Sequence, residues 1–544
     1  MTALVLGAAA LVVAALALAG VWRGGDGEAT AGYAPDAKGR PPVVVLILDE
    51  FPTDDLLRPD GSIDALRFPN FARLASISTW FPNAFTVYDS TFKAVPSILD
   101  ARLPAKFTKP DVRSHQPSVY HLMHRLGYEI HKVESATAVC PPRICKGSRP
   151  RRPSVLDRLK GGGRPARLHK WIGSIRRRER PGFYLSHTLL PHEPWIYLPS
   201  GLPNRPHGED PIEGINTRPS FADTDLSQHN HMRHLLQVGY TDHELGRLLA
   251  RLERTGLLKR SLIVVVADHG YAYDIGVPSR RFVSDSNVDE VAPVPLFIKA
   301  PGQTRGRVDD SLVRTIDVVP TIGDMLGRSI WWPHDGDSVF SPASRDRDEL
   351  VITTRDFKRE VRIGEDELAE RRAENRARWA RLFGTSAYSE RTYGDPWASV
   401  YRIGPNREVL GRRLARLDLG GSVSTALHAS VAGDARGSRP RVQIANAELL
   451  DEVAPDSPIR PTRVTGRIVN GSPEESRDLA LVVNGRIRSV GRSFHLGRRP
   501  AEFFSFVFPE HALRRGRNHV EVLEVVDGGR SFVPLGGNHR RSAG

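Results

Sequence analysis

Cysteine is nearly absent, with only Cys140 and Cys145 in 544 residues. Two thiols with no further cysteine make a poor zinc-binding set, which excludes a thiolate-held metal fold. The loop Cys140-Pro-Pro-Arg-Ile-Cys145 instead suits a local disulfide, and that leans toward an exported, oxidising location. No internal repeat and no long low-complexity tract is present, so a solenoid or a repeat array is excluded. No base-reading motif accompanies the net charge of +14 (77 Lys+Arg, 63 Asp+Glu). The arginine-rich stretches are scattered over 149–152, 176–180 and 371–381, so the excess reads as solvated surface. Contact with an anionic surface is the alternative, and specific nucleic-acid binding is set aside.

Charge is also missing from residues 3–22, an apolar stretch close to the roughly 20 residues that a bilayer core requires. Ala17-Leu18-Ala19 offers a small-residue cleavage site, but no Lys or Arg precedes the run and the run is long for a signal peptide. Residues 1–23 are therefore read as an uncleaved membrane anchor, with a signal segment as the alternative. Residues 24–40, rich in Gly, Ala and Asp without periodicity, form a linker.

The remaining chain is too long for one ordinary domain, and its 40% hydrophobic content is ample for a core. Two runs share one form. Val43-Val-Val-Leu-Ile-Leu48 ends in Asp49-Glu50, and Leu262-Ile-Val-Val-Val-Ala ends in Asp268-His269-Gly270. Continuous β-branched runs are the mark of strands covered on both faces, and ligands bind beyond the carboxyl ends of such strands. Residues 183–190 form another buried-strand candidate, ending in Pro191-His192-Glu193-Pro194-Trp195. Helical spacing of Leu235, Val238, Leu245, Leu248, Leu249 and Leu252 predicts a helix over 231–254, with Gly256 as its stop. Residues 149–180 read as a basic, irregular insertion. Alternating strands and helices predict an α/β domain with a mostly parallel sheet flanked by helices, over 41–345. Residues 346–441 read as a charged helical connecting region, with the helix over 365–383 packed outside. Short strands between Asn, Gly and Pro turns predict a small all-β sandwich over 442–535, followed by a tail over 536–544.

Asp49, Glu50, Thr91, His192, Asp268 and His269 all fall at or just after expected strand ends. In this order they resemble the site of the alkaline phosphatase and sulfatase superfamily, most closely its sulfatase-like branch. Val294-Pro-Leu-Phe-Ile-Lys-Ala-Pro-Gly302, Asp317-Val-Val-Pro-Thr321 and Asp335-Gly336 echo that branch further along. The true sulfatases carry a Cys or Ser that becomes formylglycine two residues before a proline, whereas Ala94 stands two residues before Pro96 here. The turn Thr91-Phe-Lys-Ala-Val-Pro96 is instead similar to that of the lipid phosphoethanolamine transferases, whose nucleophile is the threonine.

That resemblance implies that Thr91 attacks phosphorus, with Thr86 and Ser90 as neighbouring alternatives. Asp49, Glu50, Asp268 and His269, with Thr91, would hold a divalent metal ion. The mixed oxygen and nitrogen set suits Zn²⁺ or Mn²⁺, with Mg²⁺ or Ca²⁺ less favoured by the imidazole. His192 would donate to a phosphoryl oxygen or the leaving group, and Arg280 or Arg281 would clamp non-bridging oxygens. The expectation is a membrane-tethered, single-pass metalloenzyme with an extracytoplasmic catalytic domain. It would act as a hydrolase or transferase on phosphoryl-linked groups of anionic lipids or envelope glycopolymers. A sulfuric ester hydrolase is the alternative enzyme, and a non-catalytic envelope binding protein is the alternative outside enzymes.

Overall fold

The computed structural model describes residues 40–145, 163–206, 223–273, 281–419, 440–471, 475–495 and 501–537. The expected anchor and most of the linker lie outside these residues. Among the described residues no helix is long and apolar enough to cross a membrane.

The first body is built on a seven-stranded sheet. Its strands are β1 (Val43–Asp49), β2 (Thr79–Phe81), β3 (Glu129–Glu134), β4 (Gly182–Pro191), β5 (Leu262–Ala267), β6 (Leu296–Lys299) and β7 (Arg307–Val308). Their order is β3-β4-β1-β5-β6-β2-β7. The four strands β3, β4, β1 and β5 run parallel, and β6 is antiparallel to β5 and β2. Side chains alternate across a strand, so β1 feeds two cores. Val44, Leu46 and Leu48 join one with Ile263, Val265 and Ala267, while Val43, Val45 and Ile47 join the other with Leu262, Val264 and Val266. This two-sided burial is why β1 and β5 are continuous apolar runs.

Helices cover both faces. On one side lie α1 (Pro69–Ala75) and the 31-residue α5 (Thr224–Arg254). On the other lie α2 (Thr91–Asp100), α3 (Val119–Arg125) and α6 (Val318–Met325). The start of α1 has no cap of its own. Asp242, from α5, supplies it by accepting from the Asn70 and Phe71 amides at 2.9 and 2.8 Å.

Three local expectations need correction. Within the stretch read as irregular, Arg164–Ser174 is a helix, α4, that buries Leu168, Trp171 and Ile172. The long helix α5 begins seven residues before 231, capped by Asp223. Its first turns bury Asn230, His231, Arg233 and His234 beside only Leu226 and Met232, so the inward face there is mostly polar and gives a weak apolar period. Residues 349–364 form a hairpin of β8 (Glu349–Thr353) and β9 (Glu360–Gly364). The charged helix α7 (Glu365–Phe383) after it is held to the first body by ion pairs. Arg372, 3% exposed, donates to Asp54 and Asn83, while Arg371 and Arg378 pair with Asp289 and Glu290. These contacts are carried by charge, which a hydrophobic pattern does not reveal.

The C-terminal body is a sandwich of two sheets. One contains β10 (Arg441–Ala445), β11 (Arg463–Val469), β14 (Phe494–His495), β15 (Glu502–Val507) and β18 (Gly536–Gly537). The other contains β12 (Asp478–Val483), β13 (Arg486–Arg492), β16 (Val520–Val526) and β17 (Ser531–Pro534). Val464, Ile468, Leu479, Leu481, Phe504 and Val522 pack between them. The sandwich takes in Gly536 and Gly537, assigned to the tail from sequence, because they pair with Arg441 and Val442.

Candidate active site

Register brings the site together. In β1, Ile47 lies level with His187 of β4, and Leu48 lies level with Ala267 of β5. The carboxyl ends of β1 and β5 deliver Asp49-Glu50 and Asp268-His269 to one spot, where the middle of β4 presents His187. All five side chains are fully buried.

Asp49, His187 and Asp268 each offer one ligand atom, all within 4.8 Å of one another. Asp268 Oδ1 accepts from the His269 and Glu50 amides at 2.7 and 3.1 Å. Its Oδ2 is buried and has no hydrogen-bond partner among the described residues. Burial, and then the Asp49 charge, push the Asp268 carboxyl well above the ordinary range. Burial also raises Asp49, but His192, His187 and His269 outweigh it and hold that carboxyl at about 2. Two buried carboxylates that repel each other, beside an imidazole, fit a divalent cation.

His187 was not singled out from sequence. Its only signal was a polar residue inside the apolar run 183–190. The Glu50 carboxylate sits apart from the triad, 3.5 Å from Arg281 Nε and 3.8 Å from His192 Nε2. The Glu50 backbone has φ +64°, a conformation that side-chain-bearing residues seldom adopt. Its carbonyl is held by His234 Nε2 at 2.9 Å. Gly270 is required by close approach, because a Cβ there would lie 2.3 Å from the Glu290 carbonyl oxygen.

Thr91 opens α2 with its hydroxyl 3.3 Å from Asp49 Oδ1 and 3.2 Å from His269 Nε2. His269 Nδ1 faces the Gly270 carbonyl at 2.9 Å, which assigns the proton to Nδ1 and leaves the Nε2 lone pair toward Thr91. Burial lowers the His269 imidazole to about 4 despite the Asp49 charge. Of the two alternatives, Thr86 donates to the Tyr88 carbonyl at 3.0 Å, away from the site. Ser90 precedes the helix without capping it.

His192 lies on a loop fixed by its carbonyls. Arg164 donates to Leu189, His192 and Glu193, and Gln237 to Pro191 and His192. Arg281 is at the site, whereas Arg280 lies outside the described residues. Cys140 and Cys145 form a disulfide in the second core layer.

Beneath Glu50, Asp55 meets His231 Nε2 and His234 Nδ1, each at 2.8 Å. Burial holds the His231 imidazole below its ordinary 6.5, against the pull of Asp55. Its folded pKa is depressed, so its stabilising contribution is complete above 6.5 and fades as pH falls below that value. In urea titrations the wild-type midpoint should fall with acidification from pH 6.5. His231→Gln, which still donates to Asp55 but cannot protonate, should give a shallower slope; an unchanged slope would remove His231 from the account.

The Sulfatase family model matches residues 41–328, more than half of the chain. The chain belongs to the sulfatase family. Asp49-Glu50, Thr91, His192 and the Asp268-His269-Gly270 turn fall within the matched stretch. Among curated relatives, an endo-4-O-sulfatase of Bacteroides thetaiotaomicron is 24% identical over 180 residues, 32% of this chain and 34% of that protein. A choline-sulfatase of Rhizobium meliloti is 23% identical over 358 residues, 54% of this chain and 69% of that protein. The chain thus spans about a third of the length of the first of these relatives. A solved phosphonate monoester hydrolase from Silicibacter pomeroyi is 19% identical with TM-score 0.41, covering 57% of this chain and 79% of that one.

Proposed function

We propose that this sulfatase-family chain is a metal-dependent hydrolase or transferase of phosphoryl-linked groups, with Thr91 as its nucleophile. The observation that supports it is the Thr91 hydroxyl poised between Asp49 and the bare Nε2 of His269. Asp49, His187 and Asp268 would hold the divalent cation. When bound, it would supply Lewis acidity that lowers the pKa of a nearby hydroxyl and offsets charge on phosphoryl oxygens.

The chain's own groups carry the rest. The Thr91 proton moves to His269 Nε2 while Oγ1 forms a bond to phosphorus. The bond from phosphorus to the leaving oxygen breaks, and that oxygen takes a proton from His192. Arg281, beside Glu50, stabilises the non-bridging oxygens. Water or an acceptor hydroxyl then attacks phosphorus and gives its proton to His192, while the bond from phosphorus to Oγ1 breaks and Oγ1 regains its proton from His269. Whether water or an acceptor arrives separates hydrolase from transferase. The anionic lipids or glycopolymers of an envelope are the proposed substrates. The apolar, uncharged stretch 3–22 supports a tethered, extracytoplasmic protein.

The names of the sulfatase relatives favour a second reading, sulfate ester hydrolysis, and Ala94 at the formylglycine position opposes it. Purified protein loaded with Zn²⁺ or Mn²⁺ should turn over an aryl phosphodiester faster than the matching sulfate. Turnover of the sulfate alone would overturn the phosphoryl reading.

A further inference from the structure

The helix that begins at Thr91 carries the start of an unusual surface. Phe92, next to Thr91, is 43% exposed, Leu103 is 46%, Trp331 is 45%, and Phe107 is 89% exposed. Single exposed apolar residues are ordinary, but these belong to segments tied together. Lys93 donates to the Lys106 and Thr108 carbonyls at 3.1 and 2.7 Å, fastening the loop that carries Phe107 to the first turn of α2. Arg102 donates to the Pro333 carbonyl at 2.9 Å, and the Leu103 amide to Asp335 at 2.8 Å, joining that loop to the Trp331 segment. The Arg125 guanidinium lies 4.8 Å over the Trp331 ring.

Asp100 lies 3.8 Å from Arg102 and Asp335 meets the Leu103 amide, but within the loop itself basic side chains outnumber acidic ones. Between 101 and 116 there are four basic side chains, Arg102, Lys106, Lys109 and Arg113, against the single acid Asp111. Asp111 already accepts from the Arg113 and Ser114 amides. An apolar tip rimmed by cations is the composition of an interfacial membrane contact, and tryptophan favours the headgroup level.

We propose that the loop over 102–109, with Phe92 at the Thr91 end of α2 and Trp331 at its far end, is a docking surface for an anionic phospholipid leaflet. An anionic glycopolymer would meet the cations but would give a projecting phenyl ring and a leucine nothing to bury in. The proposal deepens the phosphoryl reading by placing the reacting group at a bilayer surface. It rests on that reading only for the substrate.

The test uses the full chain reconstituted in vesicles of phosphatidylcholine and phosphatidylglycerol. Since Cys140 and Cys145 are the only cysteines and are paired, Phe107→Cys supplies one free thiol for a polarity-sensitive dye. Nitroxide-bearing phospholipids should quench that dye and not one placed at the exposed β-sandwich position by Glu521→Cys. No quenching at 107, or equal quenching at both positions, overturns the proposal. Separately, Phe107→Asp should lower turnover of a vesicle-borne phosphodiester on the order of tenfold and leave a soluble aryl phosphodiester unchanged. Equal loss on both substrates assigns the loop to the reaction site and counts against docking. Wild type that turns over neither substrate defeats the phosphoryl reading, while the quenching result still decides the surface.

Discussion

Thr91→Ala should lower turnover of an aryl phosphodiester by at least about a thousandfold, since removal of a nucleophile costs on this scale or more. Two geometric facts carry the size of the effect. The hydroxyl is the group placed 3.3 Å from Asp49 and 3.2 Å from His269, and it sits at the buried first residue of α2. Alanine is a good helix former, so the variant should fold. Thr86→Ala should keep most activity, because that hydroxyl is spent on the Tyr88 carbonyl. Intact-mass analysis with a slow substrate should show a phosphoryl adduct on the wild type and none on Thr91→Ala. Full activity in Thr91→Ala would remove the threonine from the chemistry. Unchanged inactivity in both proteins would instead favour the non-catalytic reading.

Asp268→Asn should abolish stoichiometric metal binding under metal-replete conditions. Asparagine keeps an oxygen to accept from the His269 and Glu50 amides, now at 2.7 and 3.1 Å, and deletes one of two mutually repelling buried carboxylates. Metal removal should therefore lower stability, whereas the substitution should not lower it further once the metal is gone. A cation at a thousand times its Kd stabilises the native state by about 4 kcal/mol, so chelation should lower the wild-type Tm. Chelated Asp268→Asn should be at least as stable as chelated wild type, because the repulsion is gone. Metal analysis and thermal unfolding with and without chelator give both readouts. Metal-free wild type after loading would show that the triad does not bind a metal.

The strand-end motifs were legible because their burial is two-sided. β1 and β5 sit at the centre of the sheet, so each became an unbroken apolar run that had to stop where polar ligands began. His187 carried no such mark. Its place in the triad depends on the level pairing of Ile47 with His187, a contact between residues 140 positions apart. His234 and Gln237 were hidden for a related reason. They lie on the inward face of α5, bonded to the Glu50 and His192 carbonyls, among buried apolar residues that carry the helical period while these two carry none.

Local chemistry in the chain alone determined the α/β order of elements, the ends of the central strands and the sulfatase-like set Asp49, Glu50, Asp268 and His269. It also determined the absence of a Cys or Ser two residues before Pro96. The order of elements and the strand ends are set by periodicity, branching and turn chemistry, while the site set and the Ala94 departure were legible through the resemblance to the sulfatase-like branch. Tertiary structure alone decided which carboxylates and imidazole come together in a compact triad, bringing in His187 and setting the Glu50 carboxylate near Arg281. It alone set the Thr91 hydroxyl, and not that of Thr86, against Asp49 and His269, and tied the segments of Phe92, Leu103, Phe107 and Trp331 together along α2. Those outcomes depend on register and on distances of a few ångströms between segments far apart in the chain, which no local pattern encodes.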